Sequence, residues 1–426
     1  MIKTDLIDII ELANPWLQQP VSPIFPKQNY IPRVQLPEAV RADWDPYVTV
    51  LTGPRQAGKT TLAKLASREL INDKRYPTVL SLNCDERLVR EWFTGSHILK
   101  DIERTWKLSS YILLIDEIQR LETPGLILKA IHDLHLPIKL MATGSAQLEL
   151  KSKLQEYLTG RNIEILILPL SYKEIGNDLN VSREAIYGCY PQIVLEKEKT
   201  RLLAQLYNTY IKKDLIEILK IQNVDQFETL LSLIAHASGQ LVNYQQLATD
   251  CKISVHKIQH FLSILENTYV LASIKPFVGN KRTEVTSNPI YYFLDNGFRN
   301  QALQNFLPLE KRTDAGLLVQ SLVFQELYKW TTQQNLSFSI HYWRTKGGAE
   351  VDFVLIRGDA CIPIEVKYMH FHRLQISRGF RSFLEAYQPK LGVIITKDTI
   401  GELEIGNTIV RFVSLIQLRE MDFINP

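Results

Sequence analysis

The segment GPRQAGKT, residues 53–60, has the residue types and the spacing of a loop that binds nucleotide phosphates. Its glycines let backbone N–H groups surround the phosphates, and the N-terminus of the following helix adds its positive end. Lys59 is expected to reach the β- and γ-phosphates, and the Thr60 hydroxyl to ligate Mg²⁺. A chance match is disfavoured because a predicted strand precedes the loop and a predicted helix follows it. The residues expected to contact ATP are Gly53, Pro54, Arg55, Gln56, Ala57, Gly58, Lys59, Thr60 and Thr61.

The segment YILLIDEIQ, residues 111–119, ends an apolar strand with two carboxylates. In α/β sheets, ligands bind at the carboxyl ends of the strands, which is where Asp116 and Glu117 are expected. Asp116 is predicted to hold Mg²⁺ through water, and Glu117 to polarise the attacking water as a general base. An ordinary strand ending in two acids is the alternative, and the intact phosphate loop upstream argues against it.

A third group of reactive side chains lies in AEVDFVLIRGDACIPIEVKY, residues 349–368. If Gly358-Asp359 forms a two-residue turn, Asp352 lies opposite Glu365, with Lys367 on the same face. Facing carboxylates repel each other, but together they suit Mg²⁺ or Mn²⁺. Lys367 would then orient a water molecule or stabilise charge on a phosphate, and Glu326 in the preceding helix is a candidate third ligand. The alternative is an exposed sheet face on which a lysine offsets two acids.

Composition restricts the class of protein that carries these groups. The chain has 426 residues, 45% of them hydrophobic, and a net charge of +3, which predicts a globular protein of roughly two to four domains. That charge is too small to prove a nucleic-acid partner. The four cysteines form no CxxC pair, which favours a reducing cytoplasm over a disulfide framework or a zinc site. The sequence predicts no signal peptide and no membrane span.

The pattern of apolar residues divides the chain into sections. Short strands alternate with helices in residues 46–170, which predicts an α/β domain with a parallel sheet. The other predicted sections are an N-terminal helix and proline-rich arm (1–45), a helical lid or linker (171–225), a winged-helix-like section (226–300) and a C-terminal α/β domain (310–426).

The section 226–300 has the order of a winged helix, in which the second helix enters the major groove of DNA. Lys257 begins that helix, and Lys281 and Arg282 lie on the predicted wing. The basic patch is thin, which weakens the hypothesis of a transcriptional regulator. A module that packs between domains remains an alternative to DNA contact.

Together, GPRQAGKT, DEIQ, TGS and GRNIEILILPLSYKE resemble the motifs of a family of bacterial and archaeal AAA-type ATPases with a C-terminal domain of unknown function. The likeness continues through RTKGGAEVDFVL and PIEVK and covers roughly residues 46–370. It implies binding and hydrolysis of ATP with Mg²⁺. In such ATPases a polar strand-end residue senses the γ-phosphate, which makes Thr143 and Ser145 candidates, with a plain turn as the alternative. Arg161 is a candidate arginine finger or sensor, with a solvated arginine as the alternative.

The C-terminal section has the order helix, three strands, helix, strand, and it resembles the PD-(D/E)XK nuclease fold. The resemblance implies a metal-dependent nuclease site at the hairpin. Arg344 and Lys346 precede the hairpin and are candidate contacts to nucleic acid, with core packing as the alternative. The first hypothesis is that ATP turnover gates or powers cleavage or binding of DNA, with defence against mobile elements as one setting. The second is an ATP-driven switch or scaffold whose nuclease-like domain is inactive. A homo-oligomer is compatible with both, and neither involves a membrane.

Overall fold

The computed structural model describes residues 4–18, 30–94, 98–145, 156–216, 221, 223–277, 288–333 and 338–420, apart from the side chains of 212–214 and 333. The chain divides into two compact units, Met1–Pro169 and Leu170–Pro426. Within the described residues, no helix is both long enough and apolar enough to cross a bilayer. The four cysteines are free thiols.

The first unit is built on a five-stranded parallel sheet, as the sequence predicted. Its strands are nearly continuous apolar runs because helices cover both faces. The strands are β1 (Val48–Gly53), β2 (Val79–Asn83), β3 (Tyr111–Asp116), β4 (Ile138–Ser145) and β5 (Asn162–Leu166). Their order is β2-β3-β4-β1-β5. In this register Asn83 lies beside Asp116, and Gly53 lies beside Ser145. The carboxyl ends of four strands therefore meet at one edge.

Helices connect and cover these strands. Their apolar sides form two clusters, one on each face of the sheet. The helices are α1 (Thr4–Ala13), α2 (Leu36–Ala39), α3 (Lys59–Asn72), α4 (Arg87–Phe93), α5 (Ile98–Trp106) and α6 (Pro124–His132). α3 starts directly after the phosphate loop, so its N-terminus points to the carboxyl edge of the sheet.

The N-terminal segment protects an edge of this sheet. The fully buried amide of Asn14 accepts a hydrogen bond from the Ser81 backbone N–H (2.7 Å) and donates one to the Ser81 carbonyl (2.8 Å). The indole of Trp16 donates to the Val79 carbonyl at 2.7 Å. Because β2 is an edge strand, these side chains replace the partner strand that its backbone lacks. Part of the predicted proline-rich arm, residues 19–29, lies outside the described residues.

The second unit begins with a set of helices around a large apolar core. They are α7 (Tyr172–Ile175), α8 (Val181–Tyr187), α9 (Pro191–Leu195), α10 (Lys199–Tyr207), α11 (Val224–His236), α12 (Tyr244–Cys251), α13 (Val255–Asn267) and α14 (Asn296–Leu303). A π-helical stretch, Asn208–Leu215, extends α10. Side-chain caps at Asn223, Asn243 and Ser254 fix the starts of α11, α12 and α13.

A mixed eight-stranded sheet, in the order β12-β13-β11-β10-β9-β8-β6-β7, completes this unit. α15 (Ala315–Gln333) packs on β7 and β10, and α16 (Arg378–Tyr387) packs on β9 and β10. The strands are β6 (Leu271–Pro276), β7 (Ile290–Phe293), β8 (Ser339–Arg344), β9 (Glu350–Arg357), β10 (Ala360–Lys367), β11 (Leu391–Thr396), β12 (Gly401–Ile405) and β13 (Thr408–Ser414). The strand pair of section 226–300 thus shares one sheet with the C-terminal strands.

The β9–β10 hairpin has the predicted register. Ala360 pairs with Arg357 and Ile364 pairs with Phe353, so the next positions along are Glu365 and Asp352. Of the two turn residues, Gly358 has a positive φ of 57° and Asp359 does not, which is the pattern of a type II′ turn. The turn therefore fixes which side chains face each other across the hairpin.

Candidate functional site

The phosphate loop is held in a conformation that requires glycine. Gly53 has φ of +140°, and a Cβ atom there would lie 2.0 Å from the Ile167 carbonyl oxygen. Gln56 and Gly58 have φ of 57° and 99°, so the loop turns through the left-handed region twice before α3 begins. The remaining predicted contact positions line the loop or open α3: Pro54 and Ala57 are buried, Arg55 is half-buried and Thr61 is exposed.

Lys59 is the first residue of α3 and is only 5% exposed. Its ammonium group donates hydrogen bonds to the carbonyl oxygens of Gly53 (3.1 Å) and Pro54 (2.8 Å). Burial lowers the pKa of Lys59 to about 8, although Glu117 and Asp116 act in the opposite direction. The Lys59 side chain therefore folds back onto the phosphate loop, where Asp116 and Glu117 are near enough to affect its pKa.

Three of the predicted polar residues meet at the end of β3. The Thr60 hydroxyl donates to Asp116 Oδ1 at 2.9 Å, and the Thr143 hydroxyl donates to the same oxygen. The backbone N–H of Glu117 approaches Thr143 Oγ1 at 3.4 Å. A hydroxyl and a carboxylate at this separation are the hard oxygen donors that Mg²⁺ prefers, so the residues present fit a magnesium ion.

Glu117 has an unusual backbone, with φ of 55° in the left-handed region. Its carboxylate accepts a hydrogen bond from the Gln119 side-chain amide. The amide oxygen of Gln119 in turn accepts one from the buried Ser145 N–H at 3.2 Å. Gln119 therefore links Glu117 to the end of β4 and orients the predicted general base. Sequence reasoning missed this residue, although it stands within the DEIQ motif.

Arg161, the candidate arginine finger or sensor, lies away from the phosphate loop of its own chain. This residue lies beside the first residue of β1, because the Val48 N–H donates to the Arg161 carbonyl. The phosphate loop begins at the other end of β1, roughly 16 Å away for a strand of this length. The Arg161 side chain instead pairs with Asp133 at 3.0 Å. Contact with a nucleotide in the same subunit is excluded, since parallel strands place their two ends at opposite edges of the sheet.

In the second unit, Asp352 is a half-buried carboxylate on β9. It accepts hydrogen bonds from the Gln320 side-chain amide (2.8 Å) and from the Val366 N–H (2.7 Å). Burial raises the pKa of Asp352 to about 7, and the nearby Glu365 carboxylate adds to the shift. The group therefore changes its charge near neutral pH.

Glu365, on β10, is 5% exposed and has two partners. Lys367 Nζ lies 3.0 Å from Glu365 Oε1, and the Ser377 hydroxyl donates to Oε2 at 3.0 Å. Burial disfavours the charged form of Lys367, but Glu365 outweighs it and raises the pKa above its ordinary value. Ser377 also caps α16 by accepting from the Phe380 N–H. Sequence reasoning missed both Gln320 and Ser377, which approach from two different helices.

The prediction that Glu326 completes this site is wrong. Glu326 accepts a hydrogen bond from the Tyr172 N–H at 2.9 Å and pairs with Lys329 at 2.8 Å. It lies six residues beyond Gln320 on α15, which is about 9 Å along the helix. Lys329 also donates to the Leu170 carbonyl, so Glu326 belongs to a buried structural network. Across the described part of the chain, no three His, Cys, Asp or Glu side chains converge as a metal site.

The predicted nucleic-acid contacts that the structure describes are Lys257, Arg344 and Lys346. Lys257 lies over the ring of Phe261, 5.5 Å from its centroid. Arg344 is exposed and 3.8 Å from Glu350, and Lys346 is exposed. Lys281 and Arg282 lie outside the described residues.

Comparison with known proteins divides the chain into three consecutive regions. Residues 45–176 match the AAA domain, residues 179–309 a domain of unknown function (DUF8612), and residues 315–415 a second one (DUF4143). An uncharacterized protein of Haemophilus influenzae is 24% identical over 76% of this chain and 82% of its own length. One of Mycobacterium tuberculosis is 24% identical over 79% of this chain and 73% of its own. A solved Walker-type ATPase of Pyrococcus abyssi superposes with a TM-score of 0.41 at 15% identity, over 65% of this chain and 97% of that one.

Proposed function

We propose that this chain, an AAA-type ATPase with a C-terminal domain of unknown function, couples ATP turnover to metal-dependent cleavage or binding of DNA in the cytoplasm. The observation that carries the proposal is the pair Asp352 and Glu365, which face each other across the hairpin with Lys367 beside them. Burying two carboxylates costs free energy of folding, and such pairs are typical of functional sites.

At the ATP site the chain supplies positioning and charge. Lys59 exchanges its bonds to the loop carbonyls for the phosphates, while the loop N–H groups hold the remaining oxygens. Thr60 and Asp116 would hold Mg²⁺, which neutralises charge on the phosphates when bound. Glu117, oriented by Gln119, accepts a proton from the attacking water. Thr143, whose hydroxyl donates to Asp116, would sense the γ-phosphate.

At the hairpin, Asp352 and Glu365 would hold Mg²⁺ or Mn²⁺, which activates water for attack on phosphorus when bound. The bond from Gln320 fixes one oxygen of Asp352, and the bond from Ser377 fixes one oxygen of Glu365. Lys367 is 42% exposed, so it can meet a phosphate while remaining bound to Glu365. Its role is to offset the negative charge that develops on the phosphate oxygens.

The surroundings of the hairpin favour an anionic polymer as the substrate. The stretch from Val366 to Arg381 contains no Asp or Glu. Three arginines of this stretch, Arg373, Arg378 and Arg381, have exposed side chains, as do Arg344 and Lys346 just before β9. Exposed cations of this kind neutralise phosphates without reading sequence, which suits a nuclease better than a sequence-specific regulator. Lys257 remains a proposed further contact.

The second candidate is an ATP-driven switch or scaffold in which the hairpin binds a partner without cutting it. This alternative is favoured by the number of ligands, because Glu326 points elsewhere and Asp352 and Glu365 stand without a third acidic ligand in the described residues. In either case Arg161 would contact a nucleotide only in a neighbouring subunit of a homo-oligomer.

The test incubates the full chain with supercoiled and linear DNA, ATP, and Mg²⁺ or Mn²⁺. Wild type is compared with Lys59→Ala, Glu117→Gln and Glu365→Gln. We expect Lys59→Ala to abolish ATP binding, and Glu117→Gln to keep binding but lose hydrolysis. Cleavage present in wild type and absent in Glu365→Gln supports the nuclease. Intact DNA under every condition, with ATP hydrolysis retained, favours the switch instead.

A further inference from the structure

Arg33, in the N-terminal arm, is bound to the phosphate loop. Its guanidinium donates a hydrogen bond to the Ala57 carbonyl at 3.0 Å and another to the Leu168 carbonyl, just after β5, at 2.6 Å. The side chain is 6% exposed. Burying a guanidinium costs free energy unless its N–H groups are hydrogen-bonded. The two hydrogen bonds of Arg33 connect the N-terminal arm to the phosphate loop and to the segment after β5.

The bond to Ala57 bears directly on phosphate binding because of the geometry of the peptide group. The Ala57 carbonyl and the Gly58 N–H belong to one planar trans peptide, so they point in opposite directions. Gln56 and Gly58 on either side have positive φ, and the loop therefore has no helix or strand of its own to orient that peptide. Fixing the carbonyl outward on Arg33 directs the Gly58 N–H inward, toward the phosphates.

We infer that Arg33 is a positioning residue for ATP, which sets the orientation of the Gly58 N–H before the nucleotide arrives. The inference rests on the proposed ATP binding at this loop. It differs from the roles of Lys59 and Thr60, because Arg33 touches the back of the loop and not the nucleotide. Preorganisation of this type lowers the cost of binding.

The chain offers a matched control in Arg75. That residue also links the arm to the body of the first unit, through the Val40 carbonyl and the Asp45 carboxylate. Its partners include no phosphate-loop atom. Arg75→Met therefore removes a comparable guanidinium anchor without altering the orientation of the loop peptide, and it reports the part of any effect that is merely structural.

The experiment measures the Kd of a fluorescent ATP analogue and the KM and kcat of ATP hydrolysis in the full-length protein. We expect Arg33→Met to raise Kd and KM about tenfold, because it removes one charge-assisted hydrogen bond to the phosphate loop. The value of kcat should change about twofold or less. Arg75→Met should leave Kd and KM unchanged. The two variants should lower the melting temperature by similar amounts. Added guanidinium ion should partly restore binding in Arg33→Met and do nothing for Arg75→Met. Arg33→Lys, which can reach one carbonyl but not both, should give an intermediate Kd and replaces Arg33→Met if the latter does not fold.

Equal Kd values in wild type and Arg33→Met would overturn the inference while leaving the ATP site intact. The same holds if the two arginine variants raise Kd alike, or if guanidinium ion restores nothing. A wild-type protein that binds no ATP would instead refute the proposed function, and the inference with it.

Discussion

Replacing Asp352 by Asn should stabilise the protein, and the gain should depend on pH. Asp352 has its pKa raised from 3.8 to about 7, mainly by burial and further by Glu365. Between these values the folded state holds a proton that the unfolded state has released. Stability conferred by the neutral carboxyl is therefore complete below the unfolded pKa and is lost as pH rises through about 7. Asn keeps the shape and stays neutral throughout.

The size of the effect follows from the shift. One pKa unit corresponds to about 1.4 kcal/mol, so wild type should lose roughly 3 kcal/mol relative to Asp352→Asn between pH 5 and pH 8. The hydrogen bonds survive the change if the Gln320 amide rotates to accept from the new side chain, while the Val366 N–H continues to donate to its oxygen. Although Asp352→Asn should be more stable than wild type, added Mg²⁺ or Mn²⁺ should no longer stabilise it.

Thermal unfolding of both proteins at pH 5 and pH 8, with and without the metal ion, tests this argument. Each kcal/mol corresponds to roughly 2–4 °C for a unit of this size. Asp352→Asn should melt several degrees above wild type at pH 8, with most of that difference gone at pH 5. A difference that is the same at both pH values, or a variant less stable than wild type at pH 8, would show that Asp352 does not carry a buried charge.

Three other outcomes are expected. ATP affinity should fall about tenfold per pH unit above pH 8, where Lys59 loses its proton in the free protein, and nucleotide titrations that are flat from pH 7 to pH 9.5 would contradict this. Gly379→Ala places a Cβ atom 2.6 Å from the Glu350 carbonyl oxygen, so α16 must shift at a cost of about 1–3 kcal/mol and metal-dependent activity should drop. Gly347→Ala, whose Cβ has only a 3.8 Å contact, is its control in the same melting and cleavage assays. Asn14→Ala should lower the unfolding free energy by about 1–3 kcal/mol, and an unchanged melting temperature would show that the edge of β2 needs no cover.

The parts of the fold that sequence could predict are those set by short stretches of chain. The strand, loop and helix around Lys59 are consecutive in sequence, and the Gly358-Asp359 turn alone fixes the register that brings Asp352 to Glu365. The parallel sheet of the first unit followed from apolar runs alternating with helical patterns. In each case the residues that interact are near one another in the chain, or the period of the pattern determines which face they occupy.

The other site residues depend on packing between distant elements. Gln320 and Ser377 reach the hairpin from helices on either side of it in sequence, and neither stands in a recognisable motif. Glu326 was proposed because its charge suited a metal, whereas the helical rise places Gln320, and not Glu326, within reach of Asp352. The sequence left Arg161 open between an arginine finger or sensor and a solvated arginine, because only the position of its strand decides between them. The spacing of residues along the chain does not give the position of one helix or strand relative to another.

Arg33 also has a consequence for synthesis on the ribosome. It joins Ala57 to Leu168, and the second of these is made on the order of ten seconds after the first at ordinary rates of translation. Until Leu168 has emerged, Arg33 lacks one of its two anchors, so its guanidinium is less firmly held behind the Ala57 carbonyl. Cellular ATP would then bind weakly to a nascent chain and tightly to a finished first unit, and only the tight complex is stabilised by mass action. The nucleotide would thus favour the survival of chains whose first unit has been completed over those that end before it.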